Sequence, residues 1–393
     1  MKLVEIIREE TKYLLSGRVP LLLIILGLPI FFTILFGVIY GENVVNHIPM
    51  VIYDQDQSSL SRTLIQMYTD SERYDVVSYV STQEDMEAAI NNGEALVALA
   101  IPNDFSKNVK KGIGADIMLI ANSTNNMFGN AALSSAQEIN RSFSVAVGQK
   151  LMEGLNQLPV DAMNATYPVH LGVRILNNPV NGYAPFMLSG LMLNGFQIGL
   201  MIAAAPVLIT ECVRRRYGRE YSSFLVMIGK GIPYWGFGLL AYLLALVVVV
   251  HVFAVPMRGS WWDAAVLGGA FDFFVMNVML LFSSCSRTRV LSMQMPMVYI
   301  MPGLLYSGLS WPSFDMNEIA GFLSLLLPMT YAGDNLRDIL LAGYAPALWA
   351  DCAKMLLGGC ITGSIALGIF SLRRRETLRE GGTADGDTAD HTA

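Results

Sequence analysis

The sequence predicts a multi-pass α-helical membrane protein of about six transmembrane helices, plus an amphipathic elbow helix and re-entrant helices, with an extracytoplasmic α/β domain inserted after the first span. Two observations carry this. Of 393 residues, 53% are hydrophobic and only 15% charged, against roughly 25% charged in soluble domains. The charge is missing in blocks, each near the ~20 residues needed to cross a bilayer. Residues 41–182 break this pattern and read as a soluble domain of alternating strands and helices.

In chain order, residues 1–18 place Leu3, Ile6, Ile7, Leu14 and Leu15 largely on one helical face, with Glu5, Arg8, Glu9 and Lys12 elsewhere. That is the pattern of a helix lying in the membrane interface. Residues 19–40 form the first span. Its apolar run exceeds the roughly 7 to 15 residues of a signal peptide and no small-residue cleavage site precedes Glu42, so it is expected to be retained.

Within residues 41–182, strands are expected at Ile48–Asp54, Tyr74–Val80, Ala95–Ile101 and Ala115–Ala121. Ser58 or Ser59 caps the helix after the first, and Ser81 with Glu84 forms a capping box after the second. The alternation implies a mostly parallel sheet, on which a long helix over Asn126–Gln157 packs. Asp54 and Asp56 follow a strand and precede a helix, where carboxylates cap and complement the helix dipole. That assigns them to structure rather than to a metal.

Residues 183–372 hold the remaining spans, at Tyr183–Ile209, Ile232–Val255, Trp262–Ser284, Val290–Leu309 and Trp349–Leu372. The loop over residues 210–231 carries Arg214, Arg215, Arg216, Arg219 and Lys230, and cationic excess in a short loop marks the cytoplasmic face. Basic residues in the amino-terminal segment, beside Cys285 (Arg287, Arg289) and in the tail (Arg373, Arg374, Arg375) agree, so both termini are expected in the cytoplasm. Phe224, Leu225 and Ile228 at helical spacing predict a short amphipathic helix over Tyr221–Ile228. Residues 311–344, interrupted by Pro312, Pro328 and Gly343, are too broken for a span and predict a re-entrant pair of short helices. Asp272, Asn277, Asn194 and Gln197 lie within spans, where polar groups are costly. They line a translocation path or bond helix to helix; Asp272 is assigned to the path, the amides to packing. Residues 373–393 read as a disordered cytoplasmic tail.

Several chemistries are excluded. The segment around Lys230 has Phe224 where a P-loop needs glycine and lacks Ser or Thr after the lysine. No G-x-S-x-G or H-E-x-x-H occurs. Cys212, Cys285, Cys352 and Cys360 show no zinc spacing, and a net charge of -6 leaves no nucleic-acid footprint.

Three segments resemble the permeases of type-2 ABC transporters. Glu211, Gly218, Glu220, Leu225, Gly229 and Lys230 fall in the order of the family's E-x-x-x-G-T-x-E-x-L loop and its following G-K, with Arg219 in place of the threonine. VIYDQDQSSLSRTL is similar to the opening of the outer domain in the exporting branch, through Asp54, Asp56, Ser58, Ser61, Arg62 and Leu64. LPMTYAGDNLRDILLAG resembles a signature near the family's end, through Pro328, Thr330, Tyr331, Arg337 and Gly343; Arg337 is read as pairing with Asp334 or Asp338. The resemblance implies the non-catalytic permease subunit of an ATP-driven exporter in the inner membrane. Its loop would dock on separate ATPase subunits that hold ATP and Mg, and its cargo would be drug-like, lipidic or glycan. A homodimer or a similar second permease, lipids and a periplasmic adaptor are the further partners implied; no cofactor is expected on this chain. The rival reading is a membrane scaffold or signal-transmitting protein with an outer sensor domain.

Overall fold

The computed structural model describes residues 2–16, 21–42, 44–111, 115–124, 126–153, 177–178, 182–218 and 220–389. They divide into two units, Met1–Asn43 with Ile175–Ala393, and Val44–Arg174.

The Val44–Arg174 unit is an α/β sandwich. Its strands β1 (Ile48–Asp54), β2 (Tyr74–Val80), β3 (Val97–Ile101) and β4 (Met118–Ala121) lie in the order β2-β1-β3-β4. The first three are parallel, as the alternation of elements predicts, and β4 returns antiparallel to β3. Alternation of side chains along β1 sends Met50 and Ile52 to one face, under α3 (Ser59–Thr69) and α6 (Asn126–Glu153), and Val51 to the other, under α4 (Gln83–Asn91). Ser58 caps α3 in a reciprocal capping box with Ser61. For α4 the cap falls one residue later than the expected Ser81: Thr82 holds the extended backbone of a cap and its hydroxyl accepts from the Asp85 N–H at 3.1 Å. A short α5 (Phe105–Lys110) joins β3 to β4.

The other unit is helical. The elements are α1 (Lys2–Leu15), α2 (Leu21–Ile39), α7 (Tyr183–Ala204), α8 (Val207–Arg214), α9 (Ser223–His251), α10 (Trp261–Cys285), α11 (Arg289–Ile300), α12 (Gly303–Tyr306), α13 (Glu318–Ser324), α14 (Pro328–Leu341) and α15 (Leu348–Ala389). Among the described residues, five stretches are long and apolar enough to span a bilayer: α2, α7 with α8, α9, α10, and α15 as far as Leu378.

The expected span over Val290–Leu309 is not one of them. A helix of 12 residues rises only about 18 Å, well short of the ~30 Å hydrocarbon core. Pro302, which can donate no N–H, follows its end and only the four-residue α12 comes after. The backbone beyond is irregular, and neighbouring side chains satisfy it: Tyr299 Oη donates to the Leu326 carbonyl (2.5 Å) and Tyr331 Oη to that of Leu325 (2.8 Å).

Two further expectations change. The segment over Tyr221–Ile228 is not a separate amphipathic helix, because α9 runs unbroken from Ser223 and carries Pro233 inside it. Val226 and Met227 face the core, while Phe224 is 58% exposed. The tail, read as disordered, continues α15 to Ala389.

The helical core is knit by aromatic and small residues. Phe196 meets Phe271 at 5.6 Å between ring centroids and Tyr242 at 6.4 Å. The Tyr242 ring lies so close to Gly268 that a methyl group there would overlap it. Small residues at such crossings let helices pack closely in a membrane.

Candidate functional site

The site forms where the basic loop meets α1. On α1, Ile6, Glu10 and Leu14 recur every fourth residue and are buried together, so a carboxylate lies on the apolar stripe. It has partners. Lys230 Nζ lies 2.9 Å from Glu10 Oε2 and 3.4 Å from Glu211 Oε2, and Tyr234 Oη donates to Glu10 Oε1 at 3.1 Å. Glu10, Glu211, Lys230 and Arg374 are all nearly sealed from solvent. Two acids and two bases thus balance, as buried charge requires.

Local structure explains how each group arrives. The chain bends at Pro206 between α7 and α8, and the freed N–H groups of Leu208 and Ile209 both donate to Ser283 Oγ, at 2.9 and 3.2 Å. This fixes α8 and brings Glu211 inward. Arg215 then ends α8 in the left-handed conformation, and the Tyr217 N–H donates back to Glu211 Oε1 at 3.0 Å. Arg374, on the last helix, holds the loop from the far side by donating to the carbonyls of Tyr217, Gly218 (both 3.0 Å) and Tyr221 (2.8 Å). Gly229 sits against Ile6, where a Cβ would come within 2.7 Å of its Cγ2, so glycine here permits α1 to close on α9.

A half-exposed rim surrounds this core. Tyr217 Oη donates to Glu9 Oε2 at 2.7 Å, and Arg216 Nε lies 3.3 Å from the same oxygen. Burial first, then the bond to Glu9, holds the Tyr217 hydroxyl well above the usual tyrosine range. Tyr221 Oη donates to Glu5 at 3.1 Å, and that bond raises its hydroxyl too. Arg214 lies over the Tyr13 ring at 5.6 Å, while the backbone carbonyl of the exposed Glu220 accepts from Lys2 at 3.1 Å. Leu225, half-buried, packs on the helical core and donates its N–H to Ser222 Oγ. Gly218 is exposed, with open space where a side chain would stand. Arg219 lies outside the described residues.

All the basic segments that the sequence placed on one side meet here. Arg373 joins the Cys285 loop by donating to the carbonyls of Ser284 and Ser286, at 2.5 Å each. Sequence marks Lys230 as a loop cation and as part of a motif and assigns it no partner. Glu10 was missed; the signal that could have found it is an acid at i+4 from one buried apolar residue and i−4 from another.

The remaining candidates lie elsewhere. The polar residues of the spans do not converge: Gln197 Nε2 reaches Met329 Sδ (3.3 Å), Asn277 Nδ2 donates to the Phe273 carbonyl (2.8 Å), and Asn194 is half-buried. Asp272 is fully buried against Gly238, beside the Leu239 backbone, and neither oxygen makes a full hydrogen bond. In the α/β unit, Asp54 accepts from the N–H groups of Asp56 and Gln57 and from Ser61 Oγ, and Asp56 accepts from the N–H and hydroxyl of Ser106. Burial opposes the charge of Asp56, but the bonds from Ser58 and Ser106 outweigh it and hold the carboxyl below its ordinary value. Arg62 is exposed.

In the last motif each residue has a local task. Pro328 begins α14, Arg337 Nη2 pairs with Asp334 Oδ1 at 2.7 Å, and Gly343 follows α14 with φ 89°, a left-handed terminus that glycine adopts freely.

Long apolar helices and a buried ionic knot at one end define a multi-pass membrane protein whose polar loop is rigidly tied to its spans. The chain belongs to the ABC-2 family transporter proteins, whose sequence model matches residues 20–371. It is a transport permease by that membership. The probable multidrug ABC transporter permease YbhR of Escherichia coli K12 is 23% identical over 373 residues, covering 93% of this chain and 97% of that protein. The inner membrane transport permease YhhJ of the same strain is 23% identical over 388 residues, covering 94% and 96%. A third relative there, the probable multidrug ABC transporter permease YbhS, is 23% identical over 189 residues, 46% of this chain and 49% of that protein.

Proposed function

We propose that this chain is the membrane half of an ATP-driven exporter, moving a drug-like, lipidic or glycan substrate out of the cytoplasm. Separate ATPase subunits carry the ATP and Mg, and a second copy or a similar permease completes the path. In this reading the amino-terminal helix, the loop over 210–231 and the tail face the cytoplasm, and residues 41–182 lie outside.

The observation that carries the proposal is the buried cluster in which Lys230 pairs with Glu10 and Glu211 while Arg374 holds the carbonyls of the loop. An exposed loop that only turned the chain round would have no reason to bury four charges. Here the loop is bonded at once to α1, α9 and α15, so force on its exposed tip moves three helices as a body. That tip offers Arg214, Arg215 and Arg216, with exposed Val213 and Phe224 nearby, to a partner with an acidic, partly apolar groove. The test is affinity purification of the tagged chain from its own cells. Recovery of a P-loop ATPase whose hydrolysis rises on complex formation supports the reading; purification of the chain without any nucleotide-binding companion contradicts it.

A further inference from the structure

The second unit carries a recess that the export reading leaves unused. Helix α4, nine residues long, covers only part of its face of the sheet. On that face Tyr53, Ala100 and Met118 are direct cross-strand neighbours on β1, β3 and β4. A small residue between two large ones leaves a trough, with Ala100 as its floor and Met86 of α4 as its wall. Its cavity volume is about 280 Å³, at the small end of the roughly 300–1,000 Å³ of small-molecule sites.

The position fits a ligand as well as the shape does. The chain leaves β1 for β2 on one side and then enters β3 on the other. The trough therefore lies at the carboxyl ends of two adjacent parallel strands whose connections diverge, where open α/β sheets bind their ligands. Its chemistry narrows the class. Apolar surface comes from Met86 and Met118, neutral polar groups from Tyr53 and Gln55, and the one formal charge among the lining residues described is Asp116. Neither Lys nor Arg lines it. The positive end of α4 is already met by Thr82, Glu84 and Asp85, which leaves no site for an anion there.

We propose that this trough binds an organic monocation with an apolar body, the body lying on Ala100 between Met86 and Met118 and the charge beside Asp116. The proposal concerns binding alone and holds whether or not the chain exports anything. Its test is hydrogen exchange of the full chain in nanodiscs, without any ATPase, with tetraphenylphosphonium and with the isosteric anion tetraphenylborate. The cation is expected to slow exchange over residues 83–91 and 115–121, and the anion is not. Ala100→Trp should remove that protection, and Asp116→Asn should weaken it about two- to five-fold, the range of an exposed charge pair. Equal protection by the anion, protection confined to the membrane helices, or wild-type protection in both variants would overturn the assignment.

Discussion

Lys230 Nζ lies 2.9 Å from Glu10 Oε2, an ion pair spanning 220 positions of sequence with both side chains 6% exposed or less. Opposite charges this deeply buried hold only as a set, because removing one member strands the rest. The pair therefore fixes α1 onto α9 and, through Glu211, fixes the basic loop onto both.

Lys230→Met is expected to destabilise the chain by about 3–5 kcal/mol, because Glu10 and Glu211 are then left as buried, uncompensated carboxylates. Thermal unfolding in detergent measures this. Adding Glu10→Gln should recover part of the loss. A single variant that melts with the wild type would show that the knot contributes nothing.

Gly229→Leu should lever α1 off α9 by colliding with Ile6, and Ile6→Ala should restore part of the contact. Limited proteolysis at Arg8 and Lys12 reports it: cleavage accelerates in the single variant and slows again in the double. Unchanged protection in Gly229→Leu would mean that the close approach is dispensable.

Acid should weaken the α/β unit through Asp56. Its folded-state carboxyl titrates below the ordinary value, so its contribution is complete above the unfolded pKa of about 3.9 and is lost as pH falls through the lower folded one. Exchange protection over residues 54–61 should fall in that window in the wild type and show less pH dependence there in Asp56→Asn. The same acid loss in both would assign it to other groups.

Asp272→Asn should raise the melting temperature by a few degrees, since the carboxyl group is sealed against Gly238 without a full hydrogen bond. A fall would reveal a bond that forms only when the carboxyl is ionised. If transport also stays at the wild-type level, Asp272 takes no part in a path.

Much of this architecture is legible from the chain. Strands β1 and β2 fall where their apolar runs are bounded by turn residues, and Ser58 is recognisable as a cap because its neighbours set the spacing. Local signals suffice there. They fail where distant residues decide. Glu10 reads as one more surface charge until Lys230 is placed beside it, and the apolar run over Val290–Leu309 satisfies composition while Pro302 prevents one helix from using it. The Tyr221–Ile228 periodicity is real but belongs to the first turns of α9, where Val226 and Met227, not Phe224, meet the core.

The docking role of the loop is tested most sharply by ATP hydrolysis and export in the assembled complex carrying Arg214→Ala, Arg215→Ala and Arg216→Ala together. The variant gives up only the half-exposed pair of Arg216 with Glu9 and the contact of Arg214 with Tyr13, each worth about 1 kcal/mol or less, so membrane insertion should hold and the melting temperature should fall only slightly. Hydrolysis should no longer respond to substrate, and export should drop at least tenfold. Normal export by this variant would contradict the assignment of the loop as the docking lever.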